Sequence, residues 1–278
     1  MPATPLTAAL PGRRAFVTGG ASGLGLALAT LLARDHWTLA LLDRDGARLA
    51  AAAHALGLEG ARSVHVFVAD VTDEDACTRA VGDFATGAGG LDLMINNAGV
   101  AVAGRIDETP IADWRWALEV NVVGVAIGCR AALPVMRRAG AGLILNIASA
   151  AAFACAAEMG AYNASKAAVV ALTETLAQEL HGTRVRAAVA MPGFFPTSLL
   201  ETARAPGATL ALARELMGRS GYTAERAAAD LLAACARGAL YIVVPSPYRT
   251  LWRLKRYLPR CFAGLLARKR GGRSTPRT

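Results

Sequence analysis

The sequence predicts an α/β fold, a single doubly wound parallel sheet of seven strands with helices on both faces. Three observations carry this. Short apolar runs alternate with longer Ala-rich helical patterns from Arg13 to Val244. Most of the runs are apolar at nearly every position, as strands are when helices cover both faces of their sheet. The glycine, amide, hydroxyl and acidic residues that break the apolar pattern fall at the C-terminal ends of runs or on the helix that follows. Doubly wound sheets hold their ligands at that edge.

The first run, Arg13 to Thr18, leads into Gly19-Gly20-Ala21-Ser22-Gly23-Leu24-Gly25 and then a helical pattern to Arg34. Glycines allow positive φ and close backbone approach, and a helix N-terminus offers free N–H donors to an anion. This strand, turn and helix suit a nucleotide phosphate, although a tight connection alone would read the same way. The second run, Trp37 to Leu42, ends at Asp43-Arg44. A carboxylate there accepts hydrogen bonds from a ribose 2′-hydroxyl and repels a 2′-phosphate, which favours NAD. Arg44 would suit the phosphate of NADP, and Asp43 also reads as a helix cap.

Ser63 to Ala69 alternates as a strand and ends at Asp70-Val71, placed to face an adenine, before a helix capped by Asp73. Leu91 to Asn96 is the fourth strand and closes in Asn96-Asn97-Ala98-Gly99. Glu108 to Arg138 is a long helical pattern, interrupted near Gly124 and expected to end around Pro134. Within it Asn121 lies among valines, a poor helix residue that needs polar partners. Gly142 to Ile147 is the fifth strand and leads to Ser149.

Tyr162 and Lys166 are spaced i, i+4 at the start of the next helix, so they share a face. An ammonium beside a phenol favours phenolate and is expected to lower the tyrosine pKa, making Tyr162 a candidate general acid/base. A half-buried tyrosine above a solvated lysine is the plain alternative. The chain holds 27 Arg and 3 Lys, so a lysine at 166 is an unusual choice here. Val185 to Ala190, closed by Pro192-Gly193, and Leu240 to Val244 complete the strands.

Bulk composition bounds the rest. At 278 residues and 54% hydrophobic content the chain suits one large domain. Residues 1–11 read as a lead-in without signal-peptide character, 12–247 as the catalytic domain and 248–278 as an extension. Five scattered cysteines without a C-x-x-C suggest free thiols in a reducing compartment, and the four histidines show no metal spacing. The location expected is therefore cytoplasmic. The net charge of +9 belongs to the end of the chain: Leu231 to Thr278 holds 11 basic residues and no acidic one. Residues 249–270 place Leu251, Leu254, Leu258, Phe262, Leu265 and Leu266 at helical spacing, flanked by Trp252 and Tyr257, with Pro259 splitting the run. A basic amphipathic helix of this kind reads as a peripheral membrane contact. A partner-docking element, a cover for the substrate pocket and a solvated end are the competing readings. No groove-reading motif points to nucleic acid.

These motifs resemble the short-chain dehydrogenase/reductase (SDR) family: Thr18-Gly19-x3-Gly23-x-Gly25, Asp70-Val71, Asn96-Asn97-Ala98-Gly99, Asn121, Ser149, Tyr162-x3-Lys166 and Pro192-Gly193. They occur in family order across roughly residues 12–245. The resemblance implies a Rossmann-type domain, strand order 3-2-1-4-5-6-7, and a homodimer or homotetramer. It implies that Tyr162 exchanges a proton with the substrate oxygen and that Ser149 hydrogen-bonds that oxygen. Lys166 would bind the nicotinamide ribose and depress the tyrosine pKa, and Asn121 would hold a water relaying protons from Lys166. Thr197 matches the residue that meets the carboxamide. Phe194 and Phe195 open a mostly apolar flap, 194–221, that suits a hydrophobic alcohol or ketone of steroid, retinoid or long-chain type. A soluble reductase of small ketones or acyl-carrier thioesters, and a non-catalytic dinucleotide sensor or scaffold, are the alternative functions.

Overall fold

The computed structural model describes residues 5–264. Its centre is a parallel sheet of seven strands: β1 (Arg14–Thr18), β2 (Thr38–Asp43), β3 (Ser63–Val68), β4 (Leu93–Asn96), β5 (Gly142–Ile147), β6 (Val185–Pro192) and β7 (Tyr241–Val244). They lie in the order β3-β2-β1-β4-β5-β6-β7. The order reverses beside β1, between β1 and β4, and the crevice that opens there at the C-terminal strand ends is where such sheets take a ligand. Strands β4 and β5 are buried throughout, which is why their sequences lack the alternation of a one-faced strand.

Two apolar layers sandwich the sheet. One is built on Leu28, Leu32, Leu39, Leu41 and Leu231, the other on Phe16, Phe84, Ile144, Val169 and Val189. The first layer holds α2 (Gly23–Arg34) and α10 (Ala224–Ala236); the second holds α4 (Glu74–Ala88) and α8 (Gly160–Glu179). The lead-in is more than a tether. A short helix, α1 (Pro5–Ala9), buries Leu6, and its Thr7 hydroxyl accepts the indole N–H of the fully buried Trp37 at 3.1 Å.

The long helical pattern after Glu108 resolves differently from expectation. It comprises α5 (Ile111–Leu118), a π turn over Glu119–Val123, and α6 (Gly124–Ala139). The break is centred on Asn121, and Pro134 lies inside α6 instead of ending it. A mid-helix proline costs about 3 kcal/mol. Here Pro134 is exposed, while buried Ala131, Ala132 and Met136 hold the turns around it in the core. The run Ile111–Ala139 is apolar and long enough to cross a membrane, but half of its most apolar stretch is buried in the fold.

The C-terminal extension starts as α11 (Ser246–Tyr257), breaks at Leu258, and is helical again over residues 259–264. Leu251 and Trp252 pack against the second apolar layer, so part of the stripe expected to face a membrane is spent on the protein itself. Tyr257 and Leu258 are exposed. Leu265, Leu266 and the remainder of the basic end lie outside the described residues.

Candidate active site

One cleft of about 660 Å³ opens along the C-terminal edge of the sheet, within the range of small-molecule and cofactor sites. One part of it is lined by Gly19, Ser22, Gly23, Leu24, Asp43, Arg44, Asp70, Val71, Asn97, Ala98 and Gly99. Gly19 and Gly23 have φ of +62° and +53°, a region that strongly favours glycine. Ser22 is the N-cap of α2 yet makes no side-chain cap bond, so the first amides of α2 stay available to an anion. Gly25 does not line the cleft. A Cβ there would strike the Gly19 carbonyl and the Asn97 amide, so its role is to let α2 approach the turn. Asn97 ties the turn to β4, its Nδ2 donating to the carbonyls of Thr18 and Gly19 at 3.0 Å each.

Asp43 accepts from the N–H of Ala21 at 3.4 Å and of Asp45 at 3.2 Å, which fixes the carboxylate at the mouth of the cleft. Asp45, not Asp43, caps the next helix, α3 (Gly46–Leu58). Arg44 is exposed beside it. The structure adds Arg48 here, which pairs with Asp45 at 3.2 Å and with Glu201 of the flap at 2.9 Å. A second link joins the flap to the glycine turn, Ser22 Oγ to Ser198 Oγ at 2.7 Å.

Ser149, Tyr162 and Lys166 line the other half of the cleft. Ser149 follows β5 and its Oγ accepts the Ala151 N–H at 3.1 Å, which sets its rotamer. Tyr162 and Lys166 sit one turn apart on α8 with Nζ 5.9 Å from the ring centroid, and Nζ donates to the Ile147 carbonyl at 3.0 Å. The pKa expectation is corrected. Burial pushes the Tyr162 phenol above its ordinary value, and the influence of the Ser149 hydroxyl draws it back only in part. Burial also brings Lys166 down, from 10.5 to about 8. An i, i+4 spacing predicts that the two groups meet; it does not reveal that removing both from water dominates.

Asn121 is fully buried and does not touch the cleft directly. Its Oδ1 accepts from Val100 N, and its Nδ2 donates to the Val100 carbonyl and to Ser165 Oγ. Both protons of the carboxamide are thereby committed to protein partners. Gly99 lets the backbone approach closely at this corner, because a Cβ there would meet Asn121 Oδ1 at 3.0 Å and Lys166 Nζ at 3.2 Å. Behind it runs a buried chain that the sequence did not suggest: Asn96 Nδ2 donates to Asn146 Oδ1 at 2.8 Å, and Asn146 Nδ2 to Thr173 Oγ1 at 3.0 Å.

Pro192, Gly193, Phe194, Phe195 and Thr197 also line the cleft. Phe194 is partly exposed, while Phe195 is 4% exposed and packs edge-on against Tyr222 with centroids 6.1 Å apart. Within the flap, Ser198–Leu200 is a single 3-10 turn and Gly207–Gly218 is α9. Leu199, Leu200, Leu210, Leu212 and Met217 face the cleft with a row of alanines. Tyr248 of α11, unmarked in the sequence reading, joins them.

A doubly wound parallel sheet with a glycine turn under a single long cleft defines a dinucleotide-binding enzyme. The family model for short chain dehydrogenases matches residues 13–207. The chain is 36% identical over 192 residues to 2-(R)-hydroxypropyl-CoM dehydrogenase of Xanthobacter autotrophicus, covering 68% of this chain and 77% of that protein. It is 34% identical over 195 residues to 3-alpha-(or 20-beta)-hydroxysteroid dehydrogenase of Mycobacterium bovis, covering 69% and 72%. Its structure is similar to that of a short chain dehydrogenase/reductase from Burkholderia phymatum in complex with NAD, with TM-score 0.83 and 31% identity over 90% of this chain and 94% of the other. The chain belongs to the short-chain dehydrogenase/reductase family and is an oxidoreductase of it.

Proposed function

We propose that this chain is an NAD(P)-dependent alcohol dehydrogenase or carbonyl reductase, with NAD preferred, acting on a hydrophobic secondary alcohol or ketone of steroid, retinoid or long-chain type. The observation that carries the reading is the convergence of Ser149, Tyr162 and Lys166 on one cleft that leucine, phenylalanine and alanine side chains also line. The hydroxysteroid and hydroxypropyl-CoM activities of the relatives are both oxidations of secondary alcohols, which supports the same reaction class.

The residues fit a nicotinamide dinucleotide. The open amides of α2 would take the pyrophosphate, Asp43 a ribose hydroxyl, Asp70-Val71 the adenine and Thr197 the carboxamide. When bound, that group supplies or receives the hydride. The chain's own part is the proton and the oxygen. Ser149 holds the substrate oxygen by a hydrogen bond, and Tyr162 gives it a proton in reduction or takes one in oxidation. Lys166 supplies positive charge 5.9 Å from the ring, stabilising the phenolate whenever the proton has left. Asn121 works at one remove, fixing the Val100 peptide and the Ser165 end of the same helix turn. A homodimer or homotetramer belongs to this reading; Ile111, Leu118 and Val123 form an exposed apolar strip along α5 and the π turn that a second copy would cover.

The test is cofactor fluorescence with NADH and NADPH, followed by turnover on a panel of apolar secondary alcohols and ketones. Preference for NADH with turnover on one apolar class is the expected result. Tight cofactor binding without turnover on any member of the panel would reject it in favour of a sensor.

A further inference from the structure

Helix α11 follows the last strand, beyond the residues matched by the family model. It nevertheless touches two walls of the cleft. At its start, the Tyr248 ring lies against the backbone of Gly193, so closely that a Cβ on Gly193 would sit 2.5 Å from the ring. The Tyr248 hydroxyl accepts the Phe194 N–H at 3.4 Å. About two turns on, Lys255 Nζ donates to Cys155 Sγ at 3.2 Å. Cys155 is flanked by Ala154 and Ala156, both of which line the cleft. Between these two anchors Leu251 and Trp252 hold the helix on the apolar layer.

Tyr248 is therefore held at both ends of its side chain. Its ring packs on Gly193, and its hydroxyl is fixed to the first amide of the flap. It lines the same cleft as Ser149 and Tyr162, together with Ala150, Ala151, Ala154, Ala156 and Ala157 of the segment after β5. Beside these alanines the Tyr248 ring is a bulky group, and it takes up room that a smaller side chain would leave open.

We propose that Tyr248 is a specificity-determining residue: its ring limits the size of the apolar group that a substrate can place beside Ser149 and Tyr162. This rests on the carbonyl/alcohol reading given above. Chemically, the cleft is then matched to a ketone or secondary alcohol with one slim substituent on the Tyr248 side. The ring, not the hydroxyl, does the selecting, because the hydroxyl is turned to Phe194.

The test uses the full chain and its Tyr248→Phe, Tyr248→Leu and Tyr248→Ala variants, with methyl ketones of increasing chain length and branching. One methylene in an apolar pocket is worth roughly 10-fold or more in discrimination. Tyr248→Ala should raise kcat/KM for the bulkier ketones relative to the smallest by at least about that factor, carried by KM. Tyr248→Phe should leave the ranking in place. Tyr248→Leu gives the same contrast at smaller amplitude should the alanine variant fail to fold. Ligand-observed NMR of the same ketones reads the ranking without turnover, so a wild-type chain that reduces nothing would defeat the carbonyl reading and still leave this one decided. A ranking that stays fixed across the variants by both readouts, with all ketones gaining or losing alike, would overturn the assignment.

Discussion

The Asn121 carboxamide and the Val100 peptide group pair through two hydrogen bonds, 2.8 Å from the Val100 N–H and 2.9 Å to its carbonyl. The pair is buried, and it stitches the π turn to the loop after β4. Replacing Asn121 with Ala leaves both Val100 groups and Ser165 short of a partner. Unsatisfied buried groups cost about 1–3 kcal/mol each. Asn121→Ala is expected to lower stability by roughly 2–4 kcal/mol in urea denaturation. A loss below about 0.5 kcal/mol would mean that the π turn relaxes and satisfies these groups itself.

Tyr162→Phe removes the proton donor and leaves the ring in place. General acid–base contributions run to about 10²–10⁴-fold, and the whole of that loss should appear in kcat. Cofactor affinity, read by fluorescence, should change by less than about twofold. A variant that keeps more than a few per cent of turnover would remove Tyr162 from the role given to it.

Lys166 makes a prediction for the cofactor-free chain. Burial lowers its pKa from 10.5 to about 8. Between those values the unfolded chain holds a proton that the folded chain has released, so stability rises with pH across that window. Below about 8 both states are charged and the folded chain bears the full penalty of the buried ammonium. Lys166→Met, which titrates nothing, should therefore gain most in Tm over the parent near pH 7. The gain should shrink as pH approaches 10. A difference in Tm that is flat with pH would show that water reaches the ammonium.

Much of this architecture was legible because it is local. Strand β5 was read with its observed ends, Gly142 and Ile147, because a run of apolar residues between a glycine and a small-residue loop has few other solutions. The glycine turn, Asp43, Ser149, Tyr162 and Lys166 were readable as residues that an apolar pattern tolerates only at a site, and the structure gathers them at one cleft. What escaped depends on contacts distant in sequence. Arg48 meets Glu201 across 153 positions and Tyr248 meets Phe194 across 54, and no spacing announces either. Pro134 misled because its penalty was read without the packing of Met136 and its neighbours. The tyrosine pKa misled because spacing reports a charge nearby and says nothing of lost water.

The Arg48–Glu201 pair bears on cofactor choice. Arg48 is one of the cations at the mouth of the cleft that a 2′-phosphate would meet, and it is shared between Asp45 and Glu201. Both members of the flap pair are about half exposed, at 51% and 54%, so the pair is worth roughly 0.2–1 kcal/mol. Glu201→Gln should tighten NADPH relative to NADH by no more than about fivefold, and the gain should fade in 1 M salt. Asp43→Ala acts on the hydroxyl side instead and should weaken NADH more than NADPH. Equal losses for both cofactors would remove the 2′-hydroxyl from the account of Asp43.

Gly193 and Tyr248 offer a test of packing that needs neither cofactor nor substrate. The glycine is required by space: its Cβ would lie 2.5 Å from Cε2 and 2.6 Å from Cζ of the Tyr248 ring. The ring has little freedom to withdraw, since its hydroxyl is tied to Phe194 and its helix is fixed by Leu251 and Trp252. Gly193→Ala should then cost about 1–3 kcal/mol, as overpacking does. In a Tyr248→Ala background the same methyl would enter space the ring has vacated, and its cost should fall toward zero. The double-mutant cycle should return a coupling of at least about 1 kcal/mol, well above what independent sites show. An equal penalty in both backgrounds would mean that the methyl meets the backbone of β6 or the flap before it meets the ring, and that Tyr248 is free to move away from the cleft.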